Sequence, residues 1–336
     1  MKTNRSSSKI TLGPIRLAEI EKARERIQGI ALRTPLIELL DAGGPARIYL
    51  KLENLQPIGS FKIRGAFNAM AVADQEALAR GVYTASAGNM AQGIAWGARH
   101  LGVPCSVVVP EGAPQTKLEA VERLGGEILQ VPFEEWWQVI VDHDYEPLAD
   151  LVFIHPVSNP AMIAGNGTVG LEILEDLPDV DTVVVPYGGG GLSCGIASAI
   201  HSQRPQVKIF AAEVSTGAPL AASLVAGKPV KIDYQRSFVD GIGTAGLLDE
   251  MWPLASRLLA GSLVVKVEAV ARTIGLLVDR ARVVAEGAGA VSVAAALGGQ
   301  AGGGKVVCVV SGGNLDLSVL DVILKGEVPG TQRRET

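Results

Sequence analysis

Short runs of β-branched residues that stop at a glycine-rich segment and resume as a helical pattern constrain this chain most. Thr182-Val-Val-Val-Pro186 runs into Gly188-Gly189-Gly190-Gly191-Leu192, and Lys305-Val-Val-Cys-Val-Val310 into Ser311-Gly312-Gly313-Asn314. Gly81 to Ala85 likewise runs into Ser86-Ala87-Gly88-Asn89. Between and around these segments the pattern predicts helix 17–28, an extended stretch 47–52, helix 66–79, strand 82–85, helix 89–101, strand 105–109, helix 114–124 and strand 127–131. Beyond Trp136-Trp137 it predicts strand 151–154, helix 160–176, strand 181–186, helix 191–203, strand 207–213 and strands near 262 and 306. Strands alternating with helices at this spacing form βαβ units on a parallel sheet. Such sheets bind ligands where a strand ends and a helix begins.

Composition agrees. The 336 residues can make one large or two medium domains. They are 48% hydrophobic but only 4% aromatic, so Ala, Val, Leu and Ile build the core, as in parallel strands covered on both faces. A net charge of -5 gives no basis for expecting nucleic-acid or anionic-membrane partners. No apolar run approaches bilayer length. Residues 1–13 are polar and Ser-rich without an apolar core, which reads as a disordered tail and not a signal peptide.

Cys105, Cys194 and Cys308 lie in or beside apolar runs and read as buried thiols in a reducing cytoplasm. His100, His143, His155 and His201 show no ligand spacing, so no His/Cys metal site is expected.

A tetraglycine between a strand and a helix exposes successive backbone N–H groups at a positive helix end, which makes a phosphate cradle. Two other stretches match G-x-G-x-x-G, Gly241 to Gly246 and Gly165 to Gly170, but neither follows an apolar strand. With this many glycines about one such match arises by chance, so no dinucleotide site is assigned. Gly299 to Lys305 has phosphate-loop spacing, yet Val306 stands where a hydroxyl must bind magnesium and the stretch precedes a strand.

The remaining motif is Lys51-Leu-Glu-Asn-Leu-Gln-Pro-Ile-Gly-Ser-Phe-Lys-Ile-Arg-Gly65, in which Lys62 follows Gly59-Ser60 at a loop-to-helix junction. Ser60 to Ala66 resembles the Ser-Phe-Lys-x-Arg-Gly-Ala segment of the pyridoxal-phosphate-dependent threonine/serine dehydratase family. The segments at 86–89, 188–192 and 311–314 resemble that family's others, in its order, and the likeness spans roughly residues 17–325. It implies an α/β architecture of fold type II, like the tryptophan synthase β chain: two open twisted sheets flanked by helices, with pyridoxal 5'-phosphate in the cleft between domains. It further implies a large domain of residues 1–79 and 159–336, with a small domain, 80–158, inserted. Nothing after residue 330 resembles a regulatory domain.

The resemblance carries roles with it. Lys62 would be the Schiff-base lysine and the catalytic base, since a desolvated lysine loses its proton near neutral pH. Phe61, Asn89, Gly188, Gly189, Gly190, Gly191, Leu192 and Ser311 would hold the cofactor. Asn89 would bond its ring hydroxyl, and Ser311 would face its ring nitrogen. A hydroxyl there leaves the nitrogen largely unprotonated, which favours β-elimination over transamination. Ser86, Ala87, Gly88, Asn89, Met90 and Val157 would contact the substrate. Glu286-Gly-Ala-Gly289 resembles a further segment near the ring.

Within the family, Arg64-Gly65-Ala66 is dehydratase-like rather than cysteine-synthase-like. Alanine at 87 lacks the second acid/base of the family's racemases. Met90 replaces a usual His, Val157 a usual Phe or Asn, and Asn166 a usual Gln. Glu213 matches an acidic metal ligand of the family, but Pro219 stands where its partner would be, so no metal is expected. The resemblance therefore implies dehydration and deamination of a threonine- or serine-type β-hydroxy-amino acid to a 2-oxo acid and ammonia. Left open are a bulkier substrate, as in hydroxyectoine breakdown, a serine racemase, a β-replacement enzyme and a non-catalytic cofactor-binding protein. A homodimer or larger homo-oligomer is expected, with a small amino acid as the other partner.

Overall fold

The computed structural model describes residues 12–330. Helix α1 (Leu17–Arg26) precedes strands β1 (Leu36–Glu38) and β2 (Ala46–Leu52). Helices α2 (Lys62–Ala71) and α3 (Gln75–Arg80) lead into β3 (Val82–Ala85), α4 (Asn89–Leu101), β4 (Cys105–Pro110), α5 (Gln115–Arg123), β5 (Glu127–Val131), α6 (Phe133–Asp142) and β6 (Val152–Phe153). The long α7 (Pro160–Asp176) is followed by β7 (Thr182–Pro186), α8 (Gly191–His201), β8 (Lys208–Val214), α9 (Pro219–Ala226), α10 (Trp252–Leu258) and β9 (Gly261–Val265). The last elements are α11 (Val267–Leu276), α12 (Gly287–Leu297), β10 (Gly304–Val310) and α13 (Leu317–Leu324).

Two sheets result, a six-stranded one ordered β1-β2-β10-β7-β8-β9 and a four-stranded one ordered β5-β4-β3-β6. Every neighbouring pair is parallel except β1 with β2. The valine runs explain themselves in the larger sheet. Val183, Val185, Val307 and Val309 join one core, while Val184, Val306, Cys308 and Val310 join the core on the opposite face. Side chains alternate across a strand, so a strand covered on both sides is apolar at every position. Because β7 and β10 are parallel neighbours paired at Cys308 and Val184, the tetraglycine and Ser311 emerge at the same sheet edge.

The glycines of α7 have a packing role. A Cβ on Gly167 would lie 2.9 Å from the Gly195 carbonyl, and one on Gly170 2.9 Å from that of Ile196. One on Gly165 would strike the Arg64 carbonyl. Helices α2, α7 and α8 therefore touch backbone to backbone, which explains that G-x-G-x-x-G match without a nucleotide.

Some expectations need correction. Helix 66–79 is two helices: α2 starts earlier, at Lys62, and after its end at Ala71, Asp74 caps a new helix by accepting from the Ala77 N–H at 2.8 Å. The short β1 runs antiparallel to β2, where an all-parallel sheet was expected, and the unassigned Trp136-Trp137 stretch is helical, as α6. The tail expected over residues 1–13 lies mostly outside the described residues, but Leu12 is buried in the core. Among the described residues no helix is long and apolar enough to cross a membrane.

Candidate active site

Lys62 is positioned from both sides of its own sequence. Before it, Gly59 takes φ 71°, which suits glycine, and its carbonyl accepts from the Gly313 N–H at 2.9 Å. The Phe61 N–H donates to the Ser311 carbonyl at 3.0 Å, tying the lysine loop to the end of β10. After it, the buried Arg64 guanidinium reaches both Glu53 and Glu172, anchoring the first turn of α2. The Lys62 Nζ donates to the Pro156 carbonyl at 3.0 Å and lies 5.3 Å from the Phe61 ring centroid. Burial pushes the ammonium down to about 8, against the pull of Glu286.

Ser86 to Asn89 forms the turn between β3 and α4. Ser86 Oγ accepts from the Gly88 N–H at 3.2 Å, and Gly88 caps α4 without offering a side chain to its free N–H groups. Ala87 is half-buried beside them. The helix packs over the lysine: a Cβ on Gly93 would lie 3.3 Å from the Lys62 carbonyl. Asn89 Nδ2 donates to Glu286 Oε1 at 2.8 Å, while its Oδ1 accepts from Asn314 Nδ2 at 2.8 Å. Asn314 Nδ2 also bonds the Ile58 carbonyl, so three loops close on Asn89.

The tetraglycine enters α8 with Gly190 as a left-handed cap, at φ 94°, again without a side-chain cap. Its back is filled. A Cβ on Gly189 would collide with Val157, one on Gly190 would lie 2.9 Å from the Tyr187 hydroxyl, and one on Gly191 2.8 Å from the Val157 carbonyl. Gly188 and Gly189 remain partly exposed, while Gly191 and Leu192 are buried. Ser311 is buried just beyond β10.

Two placements depart from expectation. Met90 is 2% exposed and packed in the large hydrophobic core, which leaves it little surface to offer a substrate. Val157 faces the tetraglycine rather than open space. A residue absent from the expected cofactor and substrate contacts is Glu286, at the N-cap position of α12. A Cβ on Gly312 would lie 2.6 Å from its Oε1, so Gly312 leaves the space in which this carboxylate sits. Burial, opposed by the Asn89 hydrogen bond, pushes it up to about 7. Its Glu-Gly-Ala-Gly context was the available signal: Gly289 lets α12 approach the Gly312 carbonyl.

Lys117 of α5 pairs with Asp240 at 2.5 Å across the mouth, and the neighbouring Ile242 packs on Gly188. Glu213 accepts from the Leu220 and Ala221 N–H groups and from Ser262 Oγ, so it caps α9. Burial pushes the Cys105 and Cys194 thiols up to about 12, and the Cys308 thiol higher still. Although the histidines show no ligand spacing in sequence, His143, His155 and Glu250 bring ligand-type atoms within 4.8 Å of one another. Glu250 stands 107 residues from His143 in the chain, which hid that grouping.

The site thus combines a desolvated amine, an anion cradle and a second uncapped helix start around one cleft. The family model described as pyridoxal-phosphate dependent enzyme matches residues 27–312. The L-threonine ammonia-lyase of Thermotoga maritima is 40% identical over 320 residues, covering 94% of this chain and 79% of that protein. Among solved structures, maize serine racemase matches with a TM-score of 0.85 and 33% identity, over 94% of this chain and 98% of that one. The processed form of threonine deaminase isoform 2 from Solanum lycopersicum matches with a TM-score of 0.82 and 30% identity, over 94% of this chain and 91% of that one.

Proposed function

The chain belongs to the pyridoxal-phosphate dependent enzymes and, within them, to the threonine/serine dehydratase family; from that premise we propose that it converts a threonine- or serine-type β-hydroxy-amino acid to a 2-oxo acid and ammonia. The observation that carries this reading is the desolvated Lys62 amine beside a glycine cradle whose back cannot admit a side chain.

These residues fit the cofactor. Lys62 would hold its aldehyde carbon, Gly188 to Leu192 its phosphate, Asn89 its ring hydroxyl and Ser311 its ring nitrogen, with Phe61 alongside. When bound, it supplies a sink for the electron pair released at the substrate Cα. The N–H groups of the Ser86–Asn89 turn and of the α4 start would take the substrate carboxylate. Lys62, once its amine is free, would take the Cα proton and return it to the departing β-hydroxyl, which leaves as water; the released enamine would tautomerise to the imine and hydrolyse to the 2-oxo acid and ammonia. Ala87 holds no proton, so the opposite face of Cα has no donor at that position, which supports elimination over racemisation. With Met90 in the core, the case for a bulkier substrate rests on Val157 alone. We further assign residues 80–158 to a small domain that closes on the rest, with Lys117–Asp240 as a clasp.

Incubation with L-threonine, L-serine and larger 3-hydroxy-amino acids tests the reading. Matched release of 2-oxo acid and ammonia from threonine or serine is expected. Interconversion of L and D forms outpacing ammonia release would replace it with a racemase.

Glu286 adds a pH signature. In the cofactor-free protein Lys62 is mostly ammonium below pH 8 and mostly free amine above it, so capture of pyridoxal phosphate should accelerate through that pH. Near pH 8 Glu286 is ionised and raises the lysine's proton affinity. Glu286→Gln removes that charge, so the inflection should move to lower pH. An unmoved or raised inflection refutes the coupling.

A further inference from the structure

The turn that carries Pro156 and Val157 is organised by one buried imidazole. His155 follows β6 and is buried. Its Nε2 lies 3.1 Å from the Ile140 carbonyl, which can only accept, so Nε2 carries the proton and Nδ1 is bare. Nδ1 accepts from the Val157 N–H at 3.1 Å and the Ser158 N–H at 2.8 Å, with Ser158 Oγ 2.9 Å away. Burial first, and His143 second, push the imidazole down to about 3, so it keeps this tautomer at every working pH.

What this turn presents is the active site. Pro156 gives its carbonyl to the Lys62 Nζ, the Val157 side chain fills the space behind Gly189, and the Val157 carbonyl backs Gly191. On its other face the ring stacks on His143, with centroids 4.1 Å apart and 12° between planes, and His143 Nε2 sits 3.3 Å from Glu250 Oε1. Both nitrogens of His155 are committed to the protein, so a cation among His143, His155 and Glu250 would have to break those bonds. The cluster is scaffolding for the turn.

We propose that His155 is a positioning residue for the cofactor site: its unprotonated Nδ1 folds residues 155–158 so that Pro156 meets Lys62 and Val157 braces the glycine cradle. This rests on the reading above that Lys62 and the tetraglycine hold pyridoxal phosphate. It goes beyond that reading in naming what holds them in register, through an atom that touches neither cofactor nor substrate.

The test compares His155→Phe and His155→Asn in the holoenzyme. Phe keeps the ring volume and the stack but accepts nothing. Asn places a side-chain oxygen within reach of the N–H groups two and three residues on, as in an Asx turn. The dissociation constant for pyridoxal phosphate and the visible absorption band are measured beside kcat, KM and Tm. At least about tenfold weaker cofactor binding with a shifted band is expected for Phe, the size of one lost hydrogen bond to a fixed group. Near wild-type values are expected for Asn. A Phe variant with wild-type cofactor affinity and spectrum, whatever its Tm, overturns the proposal, as does an Asn variant that falls as far as Phe. Should Phe fail to fold, His155→Gln decides: its acceptor lies one bond too far, so weak cofactor binding is expected and wild-type binding refutes the idea. Wild-type enzyme with no borohydride-fixed cofactor at Lys62 would overturn both readings together.

Discussion

Lys62→Ala is expected to lower ammonia release by at least about 10³-fold, within the range a positioned proton-transfer group contributes, while the protein stays folded. The described lysines nearest the site cannot substitute. Lys117 is held by Asp240 at the rim, and Lys51 is buried against Glu172 and the Thr34 carbonyl. The fold should survive because the amine makes one hydrogen bond, to Pro156, and its removal relieves a desolvation cost. Borohydride reduction of the wild type should fix the cofactor to the peptide containing Lys62, and the variant should show no such adduct. Activity within tenfold of wild type, or an adduct on another lysine, would sink the assignment.

The largest effect on stability is expected two residues further on. Arg64 is 1% exposed and donates to Glu53 through Nε and Nη2, each at 2.8 Å. It also donates to Glu172 at 2.6 and 2.9 Å, to Thr168 Oγ1 at 3.0 Å and to the Leu32 carbonyl at 2.9 Å. Lys51 completes the set, with Nζ 2.6 Å from Glu172 Oε2. Two buried cations thus balance two buried carboxylates. Arg64→Met keeps much of the volume but leaves a buried negative charge uncompensated, which costs about 3–5 kcal/mol where one partner of a buried pair is removed. Arg64→Lys should also fall well below wild type, because an ammonium cannot span two carboxylates in fork geometry. Adding Glu53→Gln to Arg64→Met restores the balance and should recover part of the loss. Urea midpoints for the three variants decide the matter. A Met variant within about 1 kcal/mol of wild type, or a double variant less stable than the single, contradicts the network account.

Arg64 also shows where sequence reading stopped. It was read as part of a family segment, and nothing local reveals that its partners lie 11 and 108 residues away. The same holds at the cleft. The roles of Asn89 and Ser311 are implied by a family resemblance at two strand ends, whereas the Glu286–Asn89 hydrogen bond spans 197 residues and has no local signal. Met90 adjoins Asn89 in sequence, and one step along a helix turns a side chain through about 100°, so a buried position directly follows a half-buried one. The single helix expected over 66–79 divides at residues 72–74, where α2 has ended and Asp74 caps α3 by accepting from the Ala77 N–H.

By itself the sequence determined the parallel α/β class, and it pointed to the strand ends, lysine and glycine segments from which the candidate site is proposed. It could do so because the unbroken apolar runs of strands covered on both faces, glycine's freedom at a left-handed cap and the chemistry of a lysine are properties of short segments. Only the tertiary structure decided the antiparallel edge strand, the charge-balanced quartet under Lys62, the Glu286–Asn89–Asn314 chain and the His155 turn. Each of those depends on which distant groups face one another across the core, and burial makes such pairings strong only once the whole fold has excluded water from them.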